Sequence, residues 1–109
     1  MIDIHCLSLP DRGVYALRIR GHAQYAPQGA DIVCAAVSTL GYTFAAAVQR
    51  LEAEGALVCR PHIREAEGVL SVLARADQAH SAALAQSFET VKTGLRLITE
   101  SYPEHVRLQ

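Results

Sequence analysis

The sequence contains no paired-cysteine motif. Its three cysteines, Cys6, Cys34 and Cys59, are odd in number and none stands in a C-x-x-C spacing, which argues against a disulfide scaffold and a structural zinc site. An excess of either charge is also missing: ten Lys and Arg stand against eleven Asp and Glu, a formal net charge of −1 at pH 7, and the basic residues are scattered. A nucleic-acid interface normally shows a clustered basic face, so no direct nucleic-acid partner is expected. The N-terminus, Met1-Ile2-Asp3-Ile4-His5, has neither the basic region nor the apolar stretch of a secretory leader, and no run approaches a membrane span. The expectation is a cytoplasmic protein without a membrane partner, in a reducing compartment that keeps its thiols free.

What is present is globular in composition. The 109 residues are half hydrophobic and 19% charged, which fits a single domain over 1–109, and the eighteen alanines suit close helix packing. Residues 2–9 alternate at Ile2, Ile4 and Cys6, and residues 14–20 set Tyr15, Leu17 and Ile19 against Arg18 and Arg20. Both runs predict half-buried strands, and the turn chemistry of Pro10-Asp11-Arg12-Gly13 joins them as an antiparallel hairpin. His5 falls on the face opposite Cys6 and is expected to be solvated.

A helix is predicted over 32–54, with Gly55 as its stop and an apolar stripe at Val33, Val37, Leu40, Phe44, Val48 and Leu51. Cys34, Ser38, Gly41 and Ala45 form the adjacent stripe, which places Cys34 at the edge of the core. Gly41 in mid-helix costs about 1 kcal/mol relative to alanine and predicts close approach of another backbone, from the sheet or a partner subunit. Residues 56–64 and 69–75 predict a second hairpin with Glu65, Glu67 and Gly68 at its turn, and Pro61 marks its first strand as an edge or broken strand. Cys59 shares a face with Leu57 and Ile63 and is expected to be a buried small hydrophobe, with His62 on the other face. Asp77 is expected to cap a second helix over 78–101, striped at Leu84, Phe88, Val91, Leu95 and Ile98, that Tyr102-Pro103 ends. Val106-Arg107-Leu108 is too brief to assign as a strand from pattern alone. The order β-β-α-β-β-α predicts an α+β sandwich, with two helices packed on one face of a mostly antiparallel sheet.

The chemistry gathers in residues 21–38. Gly21 closes the second strand, Pro27 and Gly29 punctuate a loop, and Asp31 has the position of an N-cap, which puts Cys34 in the first helical turn. A thiol there lies at the positive end of the helix dipole, an environment that makes cysteine a better nucleophile, and first-turn N–H groups could hold the oxyanion of an acyl-transfer intermediate. His22, across a loop long enough to fold back, is the candidate general base. With eleven residues between His22 and Cys34, spacing alone favours the blander reading of a core thiol and a surface imidazole. Ser38, one turn on from Cys34, either faces the site or bonds its own helix carbonyl. Asp31 either caps the helix or orients His22, and the spacing favours the cap. Tyr25 to Gly29 form either a movable cover over a peptide cleft or an ordinary connection. A metal held by His22 and Cys34 lacks obvious further ligands, since His5, His62 or His80 would have to converge from separate elements, so neither metal nor cofactor is expected.

Gly21-His22-Ala23, then Gly29-x-Asp31-Ile32-Val33-Cys34-Ala35, then Ser38 resembles the signature of the ribosomal-processing cysteine protease (Prp) family. The likeness runs more loosely along the whole chain, through two strands before the motif, a helix after it and the ending Tyr102-Pro103-Glu104-His105-Val106-Arg107-Leu108. One departure is Ala26-Pro27, where the family's loop often carries another glycine. The resemblance implies a small homodimeric endopeptidase with a Cys/His dyad at Cys34 and His22. Its implied substrate is the precursor of protein twenty-seven of the large ribosomal subunit, whose N-terminal extension is removed so that the mature arm reaches the peptidyl transferase centre. A non-catalytic ribosome-associated module is the rival reading. Only one such site per chain is expected, because the second β-β-α half carries no His-loop-Cys pattern.

Overall fold

The computed structural model describes residues 1–27 and 29–109; Gln28, inside the loop at 25–29, lies outside the described residues. Strands β1 (Ile2–Leu9) and β2 (Val14–Gly21) form the predicted hairpin, with Ile4 opposite Ile19 and Cys6 opposite Leu17. Its connection is a 3-10 turn, Pro10–Arg12, closed by Gly13. Helix α1 (Ile32–Ala53) follows, then β3 (His62–Ala66), β4 (Val69–Arg75), helix α2 (Ser81–Ser101) and β5 (Val106–Leu108). The sheet order is β3-β4-β2-β1-β5, antiparallel throughout except for β5, which lies parallel to β1.

Alternation decides which sheet face is covered. Ile2, Ile4, Tyr15, Leu17, Ile19, Leu70, Val72 and Ala74 are buried under the helices, together with Val33, Val37, Phe44 and Val48 of α1 and Leu84, Phe88, Val91 and Leu95 of α2. Phe88 is the joint between layers: its ring meets Phe44 of α1 at 5.6 Å and Tyr15 of β2 at 5.3 Å. Enclosing a side chain such as Phe44 contributes roughly 1.5–3 kcal/mol by transfer alone. On the opposite face Leu7, Ala16 and Leu73 form one row across β1, β2 and β4, and Leu7 and Leu73 are 51% and 44% exposed.

Several expectations need correction. Residues 56–61 do not pair as a strand; only a bridge between Leu57 and Ala76 precedes β3, which starts at His62 just after Pro61. A proline cannot donate to the ladder, so pairing waits for the next residue. The alternation assumed for 56–64 therefore does not hold, and Cys59 is exposed. Asp77 caps a turn, with its Oδ1 accepting from His80 N at 3.0 Å, and α2 begins only at Ser81. The short tail becomes β5, because β1 offers it an open edge. Gly41 meets side chains, not backbone: a Cβ there would lie 2.7 Å from Ile19 Cδ1 and from Leu70 Cδ2. Leu40 is only half-buried and instead lies over Gly94 of α2. Helix α1 is also long and apolar enough to cross a membrane by length and composition, contrary to the expectation from the sequence, because its alanines add to the apolar stripe that packs on the sheet.

Candidate active site

The start of α1 is built by one carboxylate. Asp31 Oδ1 accepts the N–H groups of Val33 at 3.0 Å and Cys34 at 2.9 Å, as an N-cap does. Oδ2 turns the other way and accepts from Tyr25 N at 3.0 Å and, more weakly, Ala26 N at 3.4 Å. One side chain thus fixes the helix start and the loop that returns to it. These N–H groups, that of Cys34 foremost, hold the carboxyl below its ordinary value of 3.8. Val33 and Cys34 thereby lose the donors that the sequence suggested for an oxyanion, and Ala35 N is also committed, to Asp31 O at 3.1 Å.

Cys34 sits at the third helical position, half-buried at the core edge, with a free thiol. Its Sγ accepts a hydrogen bond from Ala23 N at 3.2 Å, so the loop supplies a donor to the sulfur directly. Ala23 is 2% exposed, and the next residue, Gln24, takes a left-handed φ of 55°. That conformation costs a non-glycine residue on the order of 1–2 kcal/mol, and it persists because the residues on either side are tied down. His22 lies one residue before Ala23, and Met1 N donates to its carbonyl at 2.7 Å. Its ring packs over Gly68 in the β3–β4 turn, where a Cβ would stand 3.1 Å from Nε2. No hydrogen bond joins the His22 ring to Cys34 Sγ among the described residues.

His22 and Cys34 nevertheless line one cleft of about 540 Å³, with Asp31, Ser38, Tyr42, Glu67 and Gly29 among its walls and Ile19, Val37 and Leu70 at its apolar base. Ser38 lies on this wall, whereas the neighbouring hydroxyls of Thr39 and Thr43 bond carbonyls one turn back, at 2.8 and 2.7 Å. Tyr25 packs away from the cleft, edge-on to Tyr102 and His105 with ring centroids 5.5 and 5.4 Å apart. Sequence reasoning missed Tyr42, whose hydroxyl donates to Glu65 Oε1 at 2.7 Å; that carboxylate raises the phenol above its ordinary 10.0. Gly68 and Ala23 were missed as well, because neither side chain carries chemistry. His5, His62 and His80 do not converge on the site, and no cluster of three metal-ligating side chains occurs among the described residues.

Such a cleft can hold an extended peptide against a sulfur that a backbone N–H already meets. A family model described as Cysteine protease Prp matches residues 1–107. The ribosomal processing protease Prp from S. aureus, with a covalently linked product peptide, is 26% identical over 100% of this chain and 98% of its own, at a TM-score of 0.74. In complex with a substrate peptide the same protease superposes at 0.70 with 24% identity over the same shares. SMU.848 from Streptococcus mutans is 26% identical over 100% of this chain and 92% of its own, at 0.68. No curated protein sequence matches.

Proposed function

This chain belongs to the cysteine protease Prp family, and from that premise we propose that it is an endopeptidase removing the N-terminal extension of protein twenty-seven of the large ribosomal subunit. Cys34 attacks the scissile carbonyl and His22 takes the thiol proton, then returns it to the leaving amine. The observation that carries the reading is the Ala23 N–H on Cys34 Sγ at 3.2 Å, on the wall of a cleft that His22 also lines. For proton transfer the His22 ring has to leave its seat on Gly68 and approach the sulfur; catalytic hydrogen bonds in free enzymes are often long and tighten only with substrate. The covalently linked product peptide of the S. aureus protease supports a peptide as the substrate.

Two further proposals complete the reading. The protein works in the cytoplasm, where its three free cysteines would stay reduced. It works as a homodimer through the open sheet face, which the row of exposed Leu7 and Leu73 with half-buried Ala16 between them supports. The test of function is incubation with the ribosomal-protein precursor, followed by mass spectrometry. Removal of the extension by the wild type and not by Cys34→Ala is expected; an uncut precursor would overturn the assignment.

A further inference from the structure

The loop that touches Cys34 is held at a second point, far away in sequence. His105, in the turn between α2 and β5, lies with Nδ1 2.9 Å from the Ala23 carbonyl oxygen, so Nδ1 carries the proton and donates. Its own backbone is fixed on both sides: His105 N donates to Tyr102 O at 3.0 Å, and its carbonyl accepts from Ile2 N at 2.9 Å. Ala23 is therefore bound at both ends, its C=O to His105 and its N–H to Cys34 Sγ. The left-handed Gln24 then sits between two restraints, His105 on the Ala23 carbonyl and Asp31 on the Tyr25 N–H. The Tyr25 ring seals the arrangement against Tyr102 and His105.

We propose that His105 is a positioning residue for the Cys34 site: its Nδ1–H fixes the Ala23 carbonyl and so aims the Ala23 N–H at the reacting sulfur. The proposal rests on the reading of Cys34 as the nucleophile. His105 does not itself line the cleft, and it holds the lining residue Ile2 through its backbone carbonyl, which a side-chain substitution leaves in place, so the imidazole acts on the rate of chemistry and not on peptide binding. The geometry of Nδ1 makes the requirement specific. An Asn amide nitrogen reaches about as far along the side chain as Nδ1 and can donate in its place, whereas the Gln amide lies one methylene too far out.

The experiment uses the full chain with Cys6 and Cys59 replaced by Ala, so that iodoacetamide reports on Cys34 alone, together with cleavage kinetics on the precursor's extension peptide. His105→Ala should lower kcat by about five- to tenfold, the scale of one lost hydrogen bond, with KM little changed and Cys34 alkylation slowed by a similar factor. His105→Asn should restore both rates, and His105→Gln should behave like His105→Ala. Should the alanine variant fold poorly, the Asn and Gln pair decides alone, since both keep a polar side chain of similar bulk. An Asn variant no better than the Gln variant, or wild-type alkylation in a folded His105→Ala protein, overturns the proposal. If instead Cys34→Ala still cleaves, the nucleophile reading has failed; the alkylation arm needs no substrate and still decides whether His105 positions the loop.

Discussion

The two β-β-α halves of this chain follow one plan and differ in how each second strand connects to its helix. In the first half, residues 22–31 lead from β2 to α1; in the second, residues 76–80 lead from β4 to α2. Each connection contains an aspartate that accepts backbone N–H groups near a helix start, Asp31 in one and Asp77 in the other. Asp77 closes only its own short turn and takes the His80 ring at 2.7 Å. Asp31 holds the helix with one oxygen and the returning loop with the other. The third helical position is Cys34 in α1 and Ala83 in α2. A helix terminus alone therefore does not make the site; the longer connection brings Ala23 N–H onto the sulfur and His22 to the same cleft.

The hardest test of that comparison exchanges the thiol. Cys34→Ala should reduce cleavage by more than about a thousandfold, the scale seen when a covalent nucleophile is removed, while the circular dichroism spectrum stays the same. Adding Ala83→Cys to that variant should not restore cleavage, and the thiol at 83 should alkylate more slowly than Cys34 does in the wild type. Equal alkylation rates would mean that the helix start suffices and the loop contributes nothing. Next in size is the pair of caps. Asp31→Ala releases both the helix start and the loop, and misplacing reacting groups by about 1 Å costs on the order of a hundredfold in rate. Asp77→Ala should lower the melting temperature while leaving cleavage near wild type; a comparable loss of cleavage in both variants would erase the distinction.

Features governed by local chemistry were legible in the sequence, and those made by distant contacts were not. Asp31 and Gly55 bracket α1 because capping depends on neighbouring residues, and the observed helix departs from the expected range by one residue at its end. The strand expected over 56–64 forms only from His62, because pairing with β4 starts after Pro61 and the period-two pattern upstream had no partner strand behind it. Pattern carries no sign of His105 reaching Ala23 across 82 positions. Nor does an alanine advertise that its backbone amide serves a sulfur. The candidate nucleophile and base were legible because their side chains carry the chemistry, whereas their supports act mostly through backbone groups.

A smaller effect separates two glycines with nearly the same conformation. Gly68, φ +69°, lies under the His22 ring, and Gly55, φ +74°, ends α1 with nothing within 4 Å of an added Cβ. Alanine at either position costs on the order of 1–2 kcal/mol of backbone strain, so the melting temperatures of the two variants should fall alike. Only Gly68→Ala places a Cβ 3.1 Å from His22 Nε2 and displaces the ring by a few tenths of an ångström. Cleavage should therefore change several-fold in Gly68→Ala, because the seat that the His22 ring leaves for proton transfer is altered, and stay unchanged in Gly55→Ala, measured with the precursor peptide. A rate that simply followed stability in both would show that the seat of His22 on the β3–β4 turn has no bearing on chemistry.

The smallest effect at neutral pH is the titration of the two aspartates, which becomes visible only in acid. Both carboxyls lie below the ordinary value of 3.8, Asp31 chiefly through the Cys34 N–H and Asp77 chiefly through the His80 side chain. A carboxyl whose folded-state value is lowered contributes stability that is fully present above its unfolded value and is lost as pH falls through the folded one. Neither contribution should therefore change between neutral pH and the ordinary carboxylate range, and both should disappear below it. The halves differ in what the proton releases. Protonating Asp31 weakens its hold on Val33, Cys34, Tyr25 and Ala26 at once, so the amide shifts of these four residues should move together, with one midpoint below 3.8. Protonating Asp77 should move the His80 amide and leave those four in place. Heteronuclear NMR from neutral to acid pH follows all five signals, and Asp31→Asn should remove the step from the first group alone. Separate midpoints for the loop amides and the helix amides would mean that Asp31 does not couple the loop to the helix start.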